Sequence, residues 1–368
     1  MGNRMDEGKV LCIAEHITAQ RGGGVSRYAY QIVNSIRKIG GIRINAMDYS
    51  SVPHPKFASG FLDRHGHVED FIYNSIFSRK AIAKADGLVH QLEPMLTDSA
   101  IDRMRRKVKV ITTMHDIIPI LRPDVVAARN RLEKYFMIDV PAARMRAAIR
   151  TSNYFIVNST QTRDEISKYN RLEGMNPDMK IKVINLGIDD QFFKKVNRKP
   201  HKGFVVGYIG AISQRKNVDA MFKAFSILSE EKAGRASEMR LYGRNYYGDL
   251  KLPKWTKFYG FAPDSKLADI YDTFDVFIWP SMYEGFSIPI MQAQARGIPV
   301  IIFKDSLIPK EVRLHCIEAR DVGHMAELLA RLKNEGYGEK ARAASIRYAG
   351  HFTWENAANA TLKVYEGF

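Results

Sequence analysis

The sequence predicts an α/β protein of two Rossmann-like, doubly wound parallel-sheet domains facing across a cleft. Three observations carry this. The chain has 368 residues, more than one hydrophobic core ordinarily organises, so two domains are expected. Short apolar runs alternate with segments of helical period, in two successive halves. The runs, such as FVVGYI at 204–209, are too apolar to leave one face in water, as expected of parallel strands covered on both sides.

The first half opens on a strand at 9–15 (KVLCIAE). Gly22, Gly23 and Gly24 follow, then a helix whose apolar stripe runs through Val25, Tyr28, Ile32, Ile36 and Ile39. A glycine-rich turn between strand and helix lets backbone N–H groups approach a ligand, although three glycines are equally a flexible loop. Gly40 and Gly41 end the helix, and 42–47 is a second strand. Residues 50–70 read as loop, 71–85 as helix, and 87–92 (GLVHQL) and 108–114 (VKVITTM) as strands. His115 stands just past the last of these, where open α/β sheets place their ligands. That position, with Asp116 adjacent, favours a functional role over a structural one. Helical segments at 126–140 and 141–152, a strand at 154–157, a helix from Ser159 or Thr160 to 168 and a strand at 181–186 complete the half.

The polar run KKVNRKPHKG at 194–203 reads as a linker. The expected domains are therefore 1–190 and 204–351, with 191–203 between them. After the strand at 204–209, Arg215 and Lys216 precede a helix at 218–228. Cations oppose the dipole at a helix start, so two of them there make sense if a phosphate is held between them and the helix end. A solvated pair is the plainer reading. Strands at 239–241 and 258–260 and a helix at 264–274 lead to a strand at 276–279. There the chain turns through Tyr283, Glu284, Gly285, Phe286 and Ser287. Pro289 suits the first turn of the next helix, 290–296, which stops at Gly297. A strand at 298–303 follows, then helices at 323–334 and 354–365. Glu284, a carboxylate beside a helix start, asks for a substrate with hydroxyls and phosphates, and a nucleotide sugar is one.

The formal net charge is +16. In the region bounded by Arg103 and Arg150, twelve Lys and Arg face four Asp and Glu. This local excess calls for an anionic partner (lipid headgroups, a phosphorylated acceptor or nucleic acid) or is a solvated face. Nucleic acid is not expected, because no nucleic-acid-binding motif accompanies the charge. The opening residues 1–9 are polar and no apolar segment is long enough to span a bilayer, so the expected location is cytoplasmic, at most peripheral on the membrane. Cys12 and Cys316 lie far apart in apolar contexts and read as buried free thiols.

These residues also carry a resemblance. Over nearly its whole length the chain resembles the retaining glycosyltransferases of family 4, in a mannosyltransferase-like subgroup. The segments that carry it are GGGVSRYAYQIVNSI, HDIIP, GAISQRKNVDAMFKAF, VFIWPSMYEGFSIPIMQAQARGIPVI and HFTWENAANATLKVYEGF, in that order. The resemblance implies the GT-B fold, a nucleotide-sugar donor, a glycan or lipid-linked acceptor, and neither cofactor nor metal. It implies that Arg215 and Lys216 hold the donor diphosphate and that Glu284 contacts the donor sugar. Backbone around Gly285, Phe286, Ser287 and Ile288 would approach sugar and phosphate, with Gly22, Gly23 and Gly24 approaching from the other side. His115 would lie beside the donor sugar and the attacking hydroxyl. The closing segment 352–368 would pack back on the first domain.

Without an evident carboxylate nucleophile, a retaining enzyme works by positioning and charge stabilisation. The family reading is front-face attack, with the leaving phosphate accepting the acceptor's proton. Three positions depart from the family pattern: Gln292 replaces a glutamate that grips the ribose, Ser287 a glycine, and Ala211 a frequent cation. Glutamine still offers an amide oxygen to a hydroxyl. The run Arg215, Lys216, Asn217 and the HDIIP segment favour mannose from GDP-mannose. Gln292 also motivates an alternative, a catalytically weakened partner subunit of a glycan-assembly complex. A GT-B sugar-nucleotide epimerase and a nucleic-acid binder are further alternatives.

Overall fold

The computed structural model describes residues 9–14, 17, 23–48, 80–96, 98–126, 128, 130–196, 198, 203–230, 237–246 and 252–368. The chain divides into two compact units, Met1–Leu186 with Trp354–Phe368, and Gly187–Thr353.

In the first unit six strands form one all-parallel sheet: β1 Lys9–Ala14, β2 Arg43–Asp48, β3 Leu88–Gln91, β4 Lys109–Met114, β5 Tyr154–Val157 and β6 Lys180–Val183. Their order is β2-β1-β3-β4-β5-β6, a doubly wound arrangement that reverses direction beside β1. The helix Gly24–Ile39 buries Tyr28, Ile32, Val33 and Ile36, the stripe its 3.6 period requires. The closing helix Trp354–Tyr365 packs against it.

A buried polar chain ties the closing helix to the sheet. Tyr365 OH lies 2.6 Å from His90 Nδ1, His90 Nε2 2.7 Å from Thr113 Oγ1, and Thr113 Oγ1 2.9 Å from Tyr28 OH. Burial, and next the nearby His115, push the His90 ring down to about 3, so it is neutral and carries one proton. Each member then has one proton to give, and every bond must run the same way along the chain. If Tyr28 donates to Thr113, no hydroxyl of the chain lacks an acceptor, because Tyr365 can turn toward Cys12 Sγ, 3.9 Å away.

Several elements differ from expectation, each for a physical reason. The two helices expected at 126–140 and 141–152 are one helical run, Arg131–Lys134, Tyr135–Asp139 and Val140–Thr151, while Val126, Ala128 and Asn130 are not helical. Pro141 has no N–H and crowds the carbonyl four residues back. The wide π turn at Tyr135–Asp139 lets the helix pass it. The strand expected at 181–186 ends at Val183, because Ile184 N–H takes Val157 O, the last carbonyl of β5. Ser159 caps the following helix, accepting from Thr162 N–H, and the helix runs on to Glu173 and Gly174. Of the helix expected at 71–85, residues 80–84 are helical. Ala85 is not helical, and residues 71–79, the loop at 50–70 and Gly22 lie outside the described residues.

The second unit is another all-parallel sheet: β7 Phe204–Ile209, β8 Ser237–Tyr242, β9 Thr256–Phe258, β10 Val276–Ile278, β11 Val300–Phe303 and β12 Ile317–Ala319. The order β12-β11-β10-β7-β8-β9 is that of a dinucleotide-binding sheet, reversing between β7 and β10. Every residue of β7 and β10 is buried. At Gly207 an added Cβ would come within 2.1 Å of the Phe274 ring, so glycine is what lets the ring lie on β7.

Of the linker expected at 191–203, the stretch 191–196 is held against the second unit. Phe192 is buried against Tyr271, with ring centroids 5.7 Å apart. Arg296 Nη1 donates to Lys194 O at 2.6 Å, while its Nε and Nη2 grip the Asp272 carboxylate. Chain composition concealed this, because the anchor comes from a helix a hundred residues on. The helices Asp98–Arg105 and Glu339–Ala349 also escaped the sequence reading. Cys12 is buried in β1; Cys316, expected to be buried, is half-buried just before β12. Among the described residues no helix is long and apolar enough to cross a membrane.

Candidate active site

The site is built where the order of the second sheet reverses. Adjacent strands β7 and β10 there send their following loops to opposite sides and leave a crevice at their C-terminal ends. After β7, Ser213 precedes a 3-10 turn, Gln214–Lys216, and Asn217 adopts a left-handed conformation (φ 50°) from which Val218–Glu230 begins. After β10 the chain runs through Trp279 and Glu284 to the helix Ile288–Ala295. Arg215 and Lys216 come from one side of the reversal and Glu284 from the other.

The three meet. Lys216, 7 % exposed, donates from Nζ to Glu284 Oε1. Arg215 Nη1 lies 3.4 Å from the same oxygen and donates to Tyr283 O at 2.7 Å. Trp279 Nε1–H also donates to Oε1, at 3.2 Å. The Lys216 ammonium stands 4.3 Å from the centroid of the Trp279 ring, a cation–π contact. That indole is stacked with Tyr208 and Phe277, at 5.4 and 5.8 Å. Backbone bonds fix both loops: Met282 N–H to Arg215 O at 3.1 Å and Glu284 N–H to Leu307 O at 2.8 Å. Burial works to raise the Glu284 carboxyl, but Lys216 and then Arg215 outweigh it and hold it below the ordinary carboxylate range. The carboxylate is ionised, and two cations on one anion leave an excess positive charge.

The helix start beside them is unusual. Ser287, where the family pattern has glycine, sits at φ 108°, a region costing a non-glycine residue on the order of 1–3 kcal/mol. Its side chain does not cap the helix, and its hydroxyl is buried without a partner among the described residues. Gln292, four residues into the helix, is 2 % exposed. Tyr271 OH lies 3.0 Å from Pro289 O and 3.2 Å from Gln292 Oε1, and Gln292 Nε2 has no partner among the described residues. A tyrosine hydroxyl has one proton, and the Pro289 carbonyl can only accept. Tyr271 therefore satisfies both neighbours when the carboxamide turns its NH2 toward it, with the amide oxygen facing away. Gln292 then presents an acceptor oxygen, as a glutamate would.

In the first unit, Gly23 caps the helix Gly24–Ile39 at an ordinary extended conformation, and among the described residues a Cβ at Gly23 or Gly24 would meet nothing within 4 Å. His115 follows β4 directly. Its Nε2 lies 3.0 Å from Leu92 O, an acceptor only, so Nε2 carries the proton and Nδ1 offers its lone pair. Burial pushes the ring down to about 4, against that backbone bond. Tyr28 stands edge-on to it at 4.8 Å. Asp116 Oδ1 accepts from Ile118 N–H at 3.0 Å, a local turn bond.

The sequence reading missed Trp279 and Tyr271, taken there only as strand and helix residues. The available signal was a tryptophan at the end of an apolar strand, where its N–H needs a partner. Among the described residues no three His, Cys, Asp or Glu side chains gather as a metal-ligand set.

Residues 189–351 match the family described as glycosyl transferases, group 1, a span covering nearly all of the second unit. The second unit is similar in sequence to the glycosyl transferases, group 1, and the crevice between β7 and β10 lies within the matched span. The O-antigen chain mannosyltransferase B of Escherichia coli is 29% identical over 170 residues, covering 43% of this chain and 45% of that protein. A D-inositol 3-phosphate glycosyltransferase of Mycobacterium leprae is 27% identical over 208 residues, 50% of this chain and 49% of that protein. The match thus spans about half the length of these relatives. The sucrose-phosphate synthase of Thermosynechococcus elongatus superimposes over 98% of both chains with a TM-score of 0.72 at 14% identity. That likeness is one of fold, and the fold is GT-B.

Proposed function

We propose that the protein is a hexosyltransferase moving a sugar from a nucleotide sugar to a glycan or lipid-linked acceptor, with retention of configuration and without a metal. The observation that carries this is the convergence of Arg215, Lys216 and the Trp279 indole on Glu284, beside a helix start that no side chain caps. In this reading the donor diphosphate lies against the helix start, with Arg215 and Lys216 meeting the charge that grows as the C1–O bond to phosphate breaks. Glu284, held by three donors, orients the sugar hydroxyls rather than attacking C1. Ser287 and Gln292 supply unpartnered polar atoms to the donor. In the first unit, neutral His115 keeps Nδ1 as an acceptor for a hydroxyl. The acceptor oxygen bonds to C1 on the face the phosphate leaves, and the phosphate takes the acceptor's proton.

Mannose from GDP-mannose is the first donor to test, on the run Arg215, Lys216, Asn217 and the likeness to an O-antigen chain mannosyltransferase. A panel of GDP-, UDP- and ADP-sugars read by melting temperature tests the donor, because a ligand bound only by the folded state raises it. Gln292 supports a second reading, a weakened partner subunit; slow release of free sugar from one nucleotide sugar excludes it, and its absence with every donor favours it.

Attachment to an anionic membrane is part of the proposal. Leu121, Leu132, Tyr135 and Met137 are exposed large apolar side chains amid the cations of residues 103–150, the pairing an interfacial segment uses. Co-sedimentation with anionic vesicles is expected and is lost when Arg131, Lys134 and Arg144 are neutralised. Equal sedimentation with neutral vesicles, or none, contradicts it.

A further inference from the structure

A second site lies in the first unit and shares no residue with the one above. One face of β6 and one face of the closing helix enclose a cavity of about 540 Å³, within the range that holds small organic ligands. Lys180 and Lys182 are two apart on the edge strand, so both stand on the same side of the sheet. Tyr154 is the register partner of Lys180 and shares that side. From the helix come Asn356, Asn359 and Lys363, at the three- and four-residue spacings of a single face. Tyr154 and Phe368 close one end, edge to face at 5.7 Å.

Three ammonium groups line this cavity and no carboxylate does. Among the described residues none of the three lysines makes an ion pair. Lysines on an edge strand also discourage pairing with another chain, which accounts for Lys180 and Lys182 alone. It explains neither Lys363, which comes from a helix, nor the cavity the three share. Like charges gathered on one hollow repel, and a multivalent anion reverses the sign of that energy. The asparagine amides add donors, and Tyr154, Ala360, Val364 and Phe368 give an apolar wall that inorganic phosphate would leave uncovered.

We propose that this cavity binds a phosphorylated organic molecule of the diphosphate class, separately from the donor site. Two sources share that chemistry, a free diphosphate ester and a diphosphate lipid headgroup. Amide hydrogen exchange on the intact chain reads the site by its own segments, 180–183 and 356–367. The probes are adenosine diphosphate in solution and neutral vesicles carrying a polyprenyl diphosphate. Slowed exchange in both segments with either probe is expected, and its loss in Lys180→Gln/Lys182→Gln/Lys363→Gln. Since those lysines are exposed, the variant retains the wild-type melting temperature, and arginine in all three places restores protection. A response to the soluble probe assigns a free ligand, and a response to the vesicles alone assigns the headgroup. No slowing with either probe, or the same slowing in the glutamine variant, overturns the site. Protection around residues 213–218 and 284–292 reports the donor site independently, so either proposal can fail without the other.

Discussion

Glu284 illustrates how a buried charge is kept useful. Its carboxylate is desolvated, which alone would neutralise it, but Lys216, Arg215 and the Trp279 N–H all fall on one oxygen. Removing one partner of such a pair leaves the other buried and unmatched, at a cost of about 3–5 kcal/mol. Glu284→Gln should therefore lower the urea stability of the second unit by about 3 kcal/mol and abolish sugar transfer under conditions where the protein is still folded. In Glu284→Gln/Lys216→Met the two losses should fall short of their sum by more than about 1 kcal/mol. Strict additivity would mean that the pair is not coupled. Ser287 carries the opposite expectation. Its positive φ and unpartnered hydroxyl both penalise serine, so Ser287→Gly should raise stability by about 1 kcal/mol. A destabilised variant would show that the hydroxyl has a partner in the folded protein.

At the scale of elements, the strand and helix alternation was legible because the central parallel strands are buried throughout and helices repeat every 3.6 residues. Boundaries failed where a distant partner decides them. The strand after Lys180 stops because β5 stops, and Pro141 is passed by a π turn rather than ending a helix. The glycines legible as turn signals differ in kind from Gly207, whose role is set by Phe274 lying on β7. Gly207→Ala should cost the second unit several kcal/mol by overpacking, read from the urea midpoint; a loss under about 0.5 kcal/mol would mean the ring moves freely. Of the site, Arg215, Lys216, Glu284 and the helix after it were legible from charge against the dipole and from Pro and Gly punctuation. Trp279 and Tyr271 were not, since local sequence does not say which polar group a buried aromatic will reach.

For the molecule as a whole, two domains followed from length alone, but the boundary did not. Residues 187–196 join the second unit because Arg296 and Tyr271 hold them, and no composition shift marks that. The first unit loses stability in acid through its buried histidines. His90 and His115 are held at about 3 and about 4, below the ordinary value near 6.5. As pH falls below that value the unfolded chain takes up protons that the folded chain refuses. The stability these neutral rings confer is therefore complete above about pH 6.5 and is lost from there down to about 4 for His115 and about 3 for His90, at about 1.4 kcal/mol per pH unit for each histidine. The urea midpoint should fall from pH 7 to pH 5, and less steeply in His115→Gln. A flat profile over that interval would contradict the burial of both rings.

The central claim is that the crevice between β7 and β10 holds a nucleotide-sugar diphosphate on Arg215 and Lys216. Titration calorimetry of GDP-mannose, then of UDP- and ADP-sugars, against the wild type and Lys216→Ala tests it most directly. The account predicts saturable binding of one of these donors by the wild type and at least about tenfold weaker binding by the variant, as loss of a charge-assisted phosphate contact implies. Binding of none of them, or equal affinity in Lys216→Ala, would contradict it.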